Sequence, residues 1–493
     1  MDSKKICIGL RCYDADRYNI DESNNKIHIK TTGEIYEKEA IEQCPNFAIN
    51  PIIIPRKKRV IGVGDIHGDM ELAINFLKVA KVIKEEENFH KILGDKFDFV
   101  IEEYLTKLTI KSDSTLKFTT TKDDTKKLYN DITDHIKNQV EVVYRYYKID
   151  DEFYVKIIQE DNNPNHINKP NRYVCRNSDY DRFCDNSRWF KWIGEDTHVV
   201  QVGDQIDRCR PWSAHGCKKQ ETTVNDEDSD LEIMLFYDSL DRIAQEKGGR
   251  LFSLLGNHEI MNVKGDMRYV SYKGIVNFSD NMNNKKNRND FNRGTNIRKS
   301  KFREIISKKL SCTRSTILII GDYLFVHGGI AINLAKEHNI IEVNSLIRKF
   351  LYGSLIYSQE LQKLLESSRY SPLWYRKLAY IEEDVNNIQN QQCKTLYEPT
   401  LNAFNKINSP IYSTISTEPT ISIKGMIIGH TPQFTVFGKG ITTACANRII
   451  RVDIGASQAF DNIAKRDKSR EPQVIEINTN LKTGESSIKI LHL

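Results

Sequence analysis

The chain has 493 residues, enough to bury at least one large core, and its 39% hydrophobic and 28% charged content is that of an ordinary globular protein. A formal net charge of +5 is small for this length and gives no argument for nucleic-acid binding. No run of about 18 apolar residues occurs, and the opening MDSKKICIGLRCYDADRY has no long apolar segment. Neither a membrane-spanning helix nor a secretory signal is therefore expected, and the location expected is intracellular, cytoplasmic or nuclear. The ten cysteines are scattered without a CxxC pair, which suits reduced thiols better than a zinc site; Cys175/Cys184 and Cys209/Cys217 come nearest to pairing.

Residues 1–58 are mixed and polar and read as an N-terminal extension, ending in the basic run Arg56–Arg59 that solvates the start of a strand. Val60–Gly64 reads as a buried strand stopping at Asp65. Ala73, Phe76, Leu77 and Ala80 then recur at the spacing of an amphipathic helix. Strand, polar loop and helix in that order gather loop residues at the carboxyl edge of a sheet. From about 95 to 188 the text turns polar and reads as an insertion into a catalytic domain spanning 59–493, with strands expected over Gln139–Tyr147 and Phe153–Ile158.

Order returns at Trp192. Strands are expected at His198–Val202 and Leu251–Leu255, with a helix between them that begins beside the acidic loop Asp226–Asp230. The stretch 285–303 carries eight Lys/Arg and one acid and reads as a solvated loop or helix face. Thr316–Ile320 and Tyr323–His327 read as a hairpin around Gly321-Asp322. Gly425–Gly429, Ile449–Ile454, Val474–Asn478 and Ile488–Leu493 complete the strands. The mixture is α/β, with two sheets and helices outside.

Five strand ends deliver metal-type donors beside glycine: Asp65 with His67, Asp204, Asn257, His327 and His430. This oxygen and nitrogen set suits two divalent metal ions such as Mn, Fe or Zn. Two cations close together need a shared anion, and Asp204 is the natural bridge. Asp65 and His67 would complete one ion, and Asn257, His327 and His430 the other. A hydroxide held between the ions would be the nucleophile. His258 stands beside Asn257 to protonate the leaving group, with Asp207 to hold its imidazole, and Arg208 offers a forked cation to phosphate oxygens. Four of the twelve histidines fall in such glycine motifs, which is hard to obtain by chance.

The stretches GDIHGD (64–69), GDQIDRC (203–209), LLGNHE (254–259), FVHGG (325–329) and IIGHTPQ (428–433) resemble the phosphoprotein phosphatases of the calcineurin-like metallophosphoesterase superfamily. LLGNHEIMNVKGDMRYV, WIGEDTHVVQVGDQIDR, SPLWYR and RVDIGASQAF look like the Shewanella-like protein phosphatases in particular. The resemblance covers roughly 60–94 and 189–493. It implies a four-layer αββα sandwich, the same ligand assignments, and Arg376 as a second phosphate-binding arginine. The family has glycine where Cys209 stands here.

The expected activity is thus hydrolysis of phosphomonoesters, with phosphoserine or phosphothreonine proteins or peptides as substrate and phosphotyrosine as a variant. The alternatives on the same residues are dinucleoside polyphosphate hydrolysis and a non-catalytic scaffold. No membrane or nucleic-acid partner is expected, and a partner of the 95–188 insertion is not specified by its residues.

Overall fold

The computed structural model describes residues 51–85, 190–211, 216–279, 290–355, 357–384, 390–415 and 422–492, with Cys44, Asn50, Ser187 and short strands elsewhere. The chain divides into two units, residues 1–83 with 192–493, and residues 84–191. In the smaller unit, Val142–Ile149, Glu152–Gln159 and Arg172–Asn177 form a three-stranded antiparallel sheet. The rest of the expected insertion lies outside the described residues.

The larger unit holds two six-stranded sheets. In the first, Arg59–Val63 lies parallel to His198–Gln201, which lies parallel to Arg250–Leu254, with Val199 opposite both Ile61 and Leu251. These strands are apolar along most of their length, as parallel strands covered on both faces must be. Arg314–Ser315 extends the sheet on one side, and Gln473–Thr479 and Ser486–His492 extend it antiparallel on the other.

In the second sheet Ile317–Ile320 and Tyr323–Val326 form the expected hairpin, closed at Ile320 opposite Tyr323. Tyr323–Val326 then runs parallel to Gly425–Ile428, and that strand parallel to Ile449–Arg451. The far edge is Ile53–Ile54, which pairs with Ile319 and Ile320. Ile53 and Ile54, which lie within the expected N-terminal extension, thus belong to this sheet and, like Ile52 before them, are buried.

The sheets pack face to face where Gly62 leaves room. A Cβ there would meet Ile427 of the opposite sheet at 3.3 Å and Phe325 at 3.6 Å. Helix Met70–Val79 lies outside the first sheet, burying Leu72, Ala73, Phe76 and Leu77, with its first turn capped by the Asp69 carboxylate. Asp230–Gln245 covers the same sheet, with Tyr237 Oη donating to the Ala73 carbonyl at 3.0 Å. On the other flank Ile340–Tyr352 buries Ile340, Ile341, Val343, Ile347 and Leu351, and ends at Gly353 in the left-handed region. The layers are helix, sheet, sheet, helix.

The cysteines correct the reading of reduced thiols. Cys44–Cys312, Cys209–Cys217 and Cys393–Cys445 are bonded, and no cysteine among the described residues is free. Cys44 and Cys312 are 268 positions apart. Proximity of that kind is set by packing, and spacing along the chain carries no trace of it.

Candidate metal centre

Parallel register brings the carboxyl ends of three strands of the first sheet to one edge, followed by Asp65, Asp204 and Asn257. In the second sheet the same logic brings His327, His430 and Asp453 to an edge after Tyr323–Val326, Gly425–Ile428 and Ile449–Arg451. The two edges meet. The His430 amide donates to both Asp65 oxygens, at 3.3 and 3.1 Å. His327 Nε2 lies 3.2 Å from Asp204 Oδ2 and 3.0 Å from Asn257 Oδ1.

Six residues expected as ligands, Asp65, His67, Asp204, Asn257, His327 and His430, are thereby gathered and buried. Two donor groups stand out, His67 with Asp204 and His258, and Asp204 with His327 and His430, the donor atoms of each lying within 4.8 Å of one another. Asp204 belongs to both. Asp65 lies beside the first group, its Oδ2 3.8 Å from His67 Nε2.

The imidazoles are oriented by backbone. His67 Nδ1 donates to the Ile206 carbonyl at 3.2 Å and His327 Nδ1 to that of Val202 at 2.9 Å. Each ring then turns its Nε2 toward the carboxylates, as metal-ligating histidines do; burial opposes a charge on His327, but Asp204 outweighs it and raises that imidazole above its usual range. Among the described residues neither the buried His430 Nε2 nor the buried Asp453 Oδ2 has a hydrogen-bond partner. An orphaned imidazole nitrogen in a carboxylate-lined recess is the donor chemistry a cation would satisfy.

The charges tell the same story. Burial, then the nearness of Asp453 and Asp204, pushes the Asp65 carboxyl well above its usual range. Burial and Asp204 push Asp453 up to about 6. Burial also holds His67 and His430 well below the usual imidazole range, hence neutral. Among the described residues no lysine or arginine forms an ion pair with Asp65 or Asp204. Crowded carboxylates beside the neutral imidazoles of His67 and His430, with no lysine or arginine bonded to Asp65 or Asp204 among the described residues, fit divalent metal ions.

Backbone strain concentrates here. His67, Asp204, Asp207 and His430 have φ of 50°, 54°, 73° and 67°, uncommon for residues with a Cβ. Two glycines show why the motifs carry them. A Cβ on Gly256 would stand 2.1 Å from Asp204 Oδ1, and one on Gly429 would stand 2.3 Å from Asp65 Oδ1.

His258 is held differently. Its Nδ1 lies 2.7 Å from Asp207 Oδ2, and its Nε2 lies 3.8 Å from Asp204 Oδ2. The other Asp207 oxygen accepts from Asn262 Nδ2 at 2.8 Å; Asn262 Oδ1 accepts from Arg298 Nε at 3.0 Å; Arg298 Nη2 reaches Asp230 Oδ2 at 2.7 Å. Arg298 is only 1% exposed, against the expectation that 285–303 is a solvated face. Glu259 accepts from the Asp204, Gln205 and Gly256 amides, at 3.1, 2.9 and 2.7 Å, and so pins the loop that carries the shared aspartate. Glu259 stood in the sequence motif without a role; Asn262, Asp230 and Arg298 carried no local signal.

Of the two expected arginines, Arg376 half-reaches the centre. Its Nη1 donates to the His430 carbonyl at 2.7 Å and to Thr431 Oγ1 at 3.0 Å. Arg208 is 1% exposed and its fork is taken up inside the protein: Nη1 bonds the Gly68 carbonyl and Glu227, both at 3.0 Å, and Nη2 the Asn225 carbonyl at 3.0 Å.

The calcineurin-like phosphoesterase family profile matches residues 165–387. That span includes Asp204, Asn257, His258 and His327, while Asp65, His67 and His430 join them only in three dimensions. The chain is 29% identical over 268 residues to an uncharacterized protein of Acanthamoeba polyphaga mimivirus, covering 50% of this chain and 94% of the relative. It is 27% identical over 309 residues to Shewanella-like protein phosphatase 2 of Arabidopsis thaliana, covering 54% of this chain and 64% of that protein, just under two thirds of its length. An uncharacterized protein of Schizosaccharomyces pombe matches at 24% identity, over 55% of this chain and 65% of its own. A solved cold-active protein-tyrosine phosphatase of a psychrophilic Shewanella species aligns over 97% of this chain and 92% of its own, at 15% identity and a TM-score of 0.44. The profile match over residues 165–387 thus identifies a calcineurin-like metallophosphoesterase domain in this chain.

Proposed function

We propose that the chain hydrolyses phosphomonoesters, and that its substrates are phosphoserine and phosphothreonine side chains of proteins. The observation that carries this reading is Asp204, one buried carboxylate common to two donor groups, with the His258–Asp207 pair alongside. The likeness to a plant protein phosphatase supports the substrate class.

Asp65, His67 and Asp204 would hold one divalent cation, and Asp204, Asn257, His327 and His430 the other. When bound, such ions neutralise phosphate oxygens and make water acidic enough to serve as a nucleophile near neutral pH. The protein's own part is the rest. His67 and His327 are fixed through their Nδ1 atoms, so they need no reorganisation to present Nε2. His258 gives a proton from Nε2 to the leaving serine or threonine oxygen, and Asp207 steadies the imidazolium from the Nδ1 side. Arg376, anchored on the His430 carbonyl, steadies a phosphate oxygen.

The test is an assay of the full chain, loaded with Mn²⁺ and with metal content verified, on phosphoserine, phosphothreonine and phosphotyrosine peptides beside diadenosine tetraphosphate. Phosphoserine and phosphothreonine peptides should be the better substrates, with turnover lost in His258→Asn. Turnover of the dinucleotide alone would replace the substrate class. Inactivity of a loaded protein on every phosphoester would make the chain a scaffold.

A further inference from the structure

We propose that Arg298 is a positioning residue for the proton donor: bonded to Asn262 and Asp230 it fixes Asp207, and Asp207 fixes the ring of His258. The inference rests on the phosphoesterase reading above, and it gives a role to the basic stretch 285–303, which none of the motifs contains.

Asp207 has to be held from outside itself. Its backbone lies in the left-handed region, where a residue with a Cβ persists only if its surroundings enforce it. Its carboxylate is buried, where it needs donors or cations around it. Two neighbours meet these needs. The Asp207 amide donates to Asp230 Oδ1 at 3.1 Å, and Asp207 Oδ1 accepts from Asn262 Nδ2 at 2.8 Å.

Arg298 joins the two. Its Nε donates to Asn262 Oδ1 at 3.0 Å and its Nη2 to Asp230 Oδ2 at 2.7 Å, while the same Nη2 lies 3.8 Å from Asp207 Oδ1. The bonds close a circuit from the Asp207 amide through Asp230, Arg298 and Asn262 to the Asp207 carboxylate. The oxygen left over, Oδ2, meets His258 Nδ1 at 2.7 Å.

Arg298 is itself fixed. Nη1 donates to the Gly274 carbonyl at 3.0 Å, and the guanidinium lies 4.7 Å from the ring centroid of Phe302 and 5.3 Å from that of Phe278. Its helix, Phe291–Lys301, comes close enough that a Cβ on Gly294 would stand 2.2 Å from the Ile275 carbonyl oxygen. A planar, permanently charged fork can bond in three directions at once, which a lysine cannot do with the same geometry. Among the described residues Arg298 bonds none of the six candidate ligands, so its effect on the chemistry runs through Asp207 and His258.

The test compares Arg298→Met, Arg298→Lys and Asn262→Ala with the parent in the metal-loaded full chain, on a phosphoserine peptide and on dinitrophenyl phosphate. A serine alkoxide must take a proton as it leaves, whereas dinitrophenolate leaves without one. Arg298→Met should lower kcat on the phosphopeptide by roughly 10–100-fold, the scale of a misplaced catalytic group. Turnover of dinitrophenyl phosphate, KM and metal content should stay close to those of the parent, and Arg298→Lys should recover part of the loss. Asn262→Ala cuts the circuit one link nearer Asp207; it should show the same selective loss, and it decides the matter if Arg298→Met does not fold. Equal losses on both esters, or undiminished phosphopeptide turnover in a folded variant, overturn the assignment. A second readout needs no turnover: the Nδ1 proton of His258, identified by its absence from His258→Asn, is followed by NMR in Zn²⁺-loaded protein. It should shift or exchange faster in Arg298→Met and Asn262→Ala, and an unmoved resonance overturns the role. If the parent turns over neither ester, the proposed activity fails while the NMR comparison still decides on Arg298.

Discussion

The two sheet edges that build the centre are supported by different means. The first edge carries the carboxylates and the His258–Asp207 pair, and behind it stands a polar network: Glu259 on the Asp204 loop, then Asn262, Arg298 and Asp230 behind Asp207. The second edge carries His327 and His430, held mainly by backbone groups and close approach, through the Val202 carbonyl and the contact of Gly429 with Asp65, with Arg376 donating to the His430 carbonyl. The difference follows from charge. An ionised carboxylate in a buried place needs donors or cations around it, whereas a neutral imidazole needs one hydrogen bond and a wall.

The largest break in this comparison should come from Asp204→Asn, because Asp204 serves both groups. Loss of both metal ions by elemental analysis and a fall in kcat/KM of roughly 10⁴-fold are expected; retention of either ion at full occupancy would contradict the shared role. His258→Asn touches the first edge alone. It should lower kcat by roughly 10²–10⁴-fold with metal content nearly intact, and unimpaired turnover would remove His258 as proton donor.

Arg298→Met tests the network behind the first edge. Leaving Asp230 buried without its partner should lower stability by about 3–5 kcal/mol in denaturant titration. Loss of less than about 1 kcal/mol would mean the network is ornamental to folding. The smallest effect lies at the other end of the strand that leads to Asp204. Burial lowers His198 from 6.5 to about 4. A depressed imidazole makes a contribution that is complete above its unfolded value and falls away as pH drops from 6.5 toward 4. His198→Gln should therefore flatten the fall of the unfolding free energy across that window in metal-free protein, by no more than about 3 kcal/mol at its acid end. Parallel curves for parent and variant would contradict it.

The candidate ligand residues were legible because each is a short-range event: an apolar strand stops, a glycine allows the turn, and a donor follows. Glu259 was visible only as a letter of a motif, since its partners Asp204 and Gln205 lie more than fifty positions away. Arg298 was misplaced on a solvated face because a basic stretch around it hid its burial. Two of the cysteine pairs were hidden by distance along the chain, Cys44 and Cys312 meeting across 268 positions and Cys393 and Cys445 across 52.

By itself the sequence pointed to two sheets with helices outside and to the candidate donors at their strand ends, because hydrophobic runs and glycine turns act within a few residues of themselves. Tertiary structure alone decided what stands behind each donor and which distant cysteines join. Those outcomes depend on distances between groups remote along the chain, and such distances exist only once both sheets have packed.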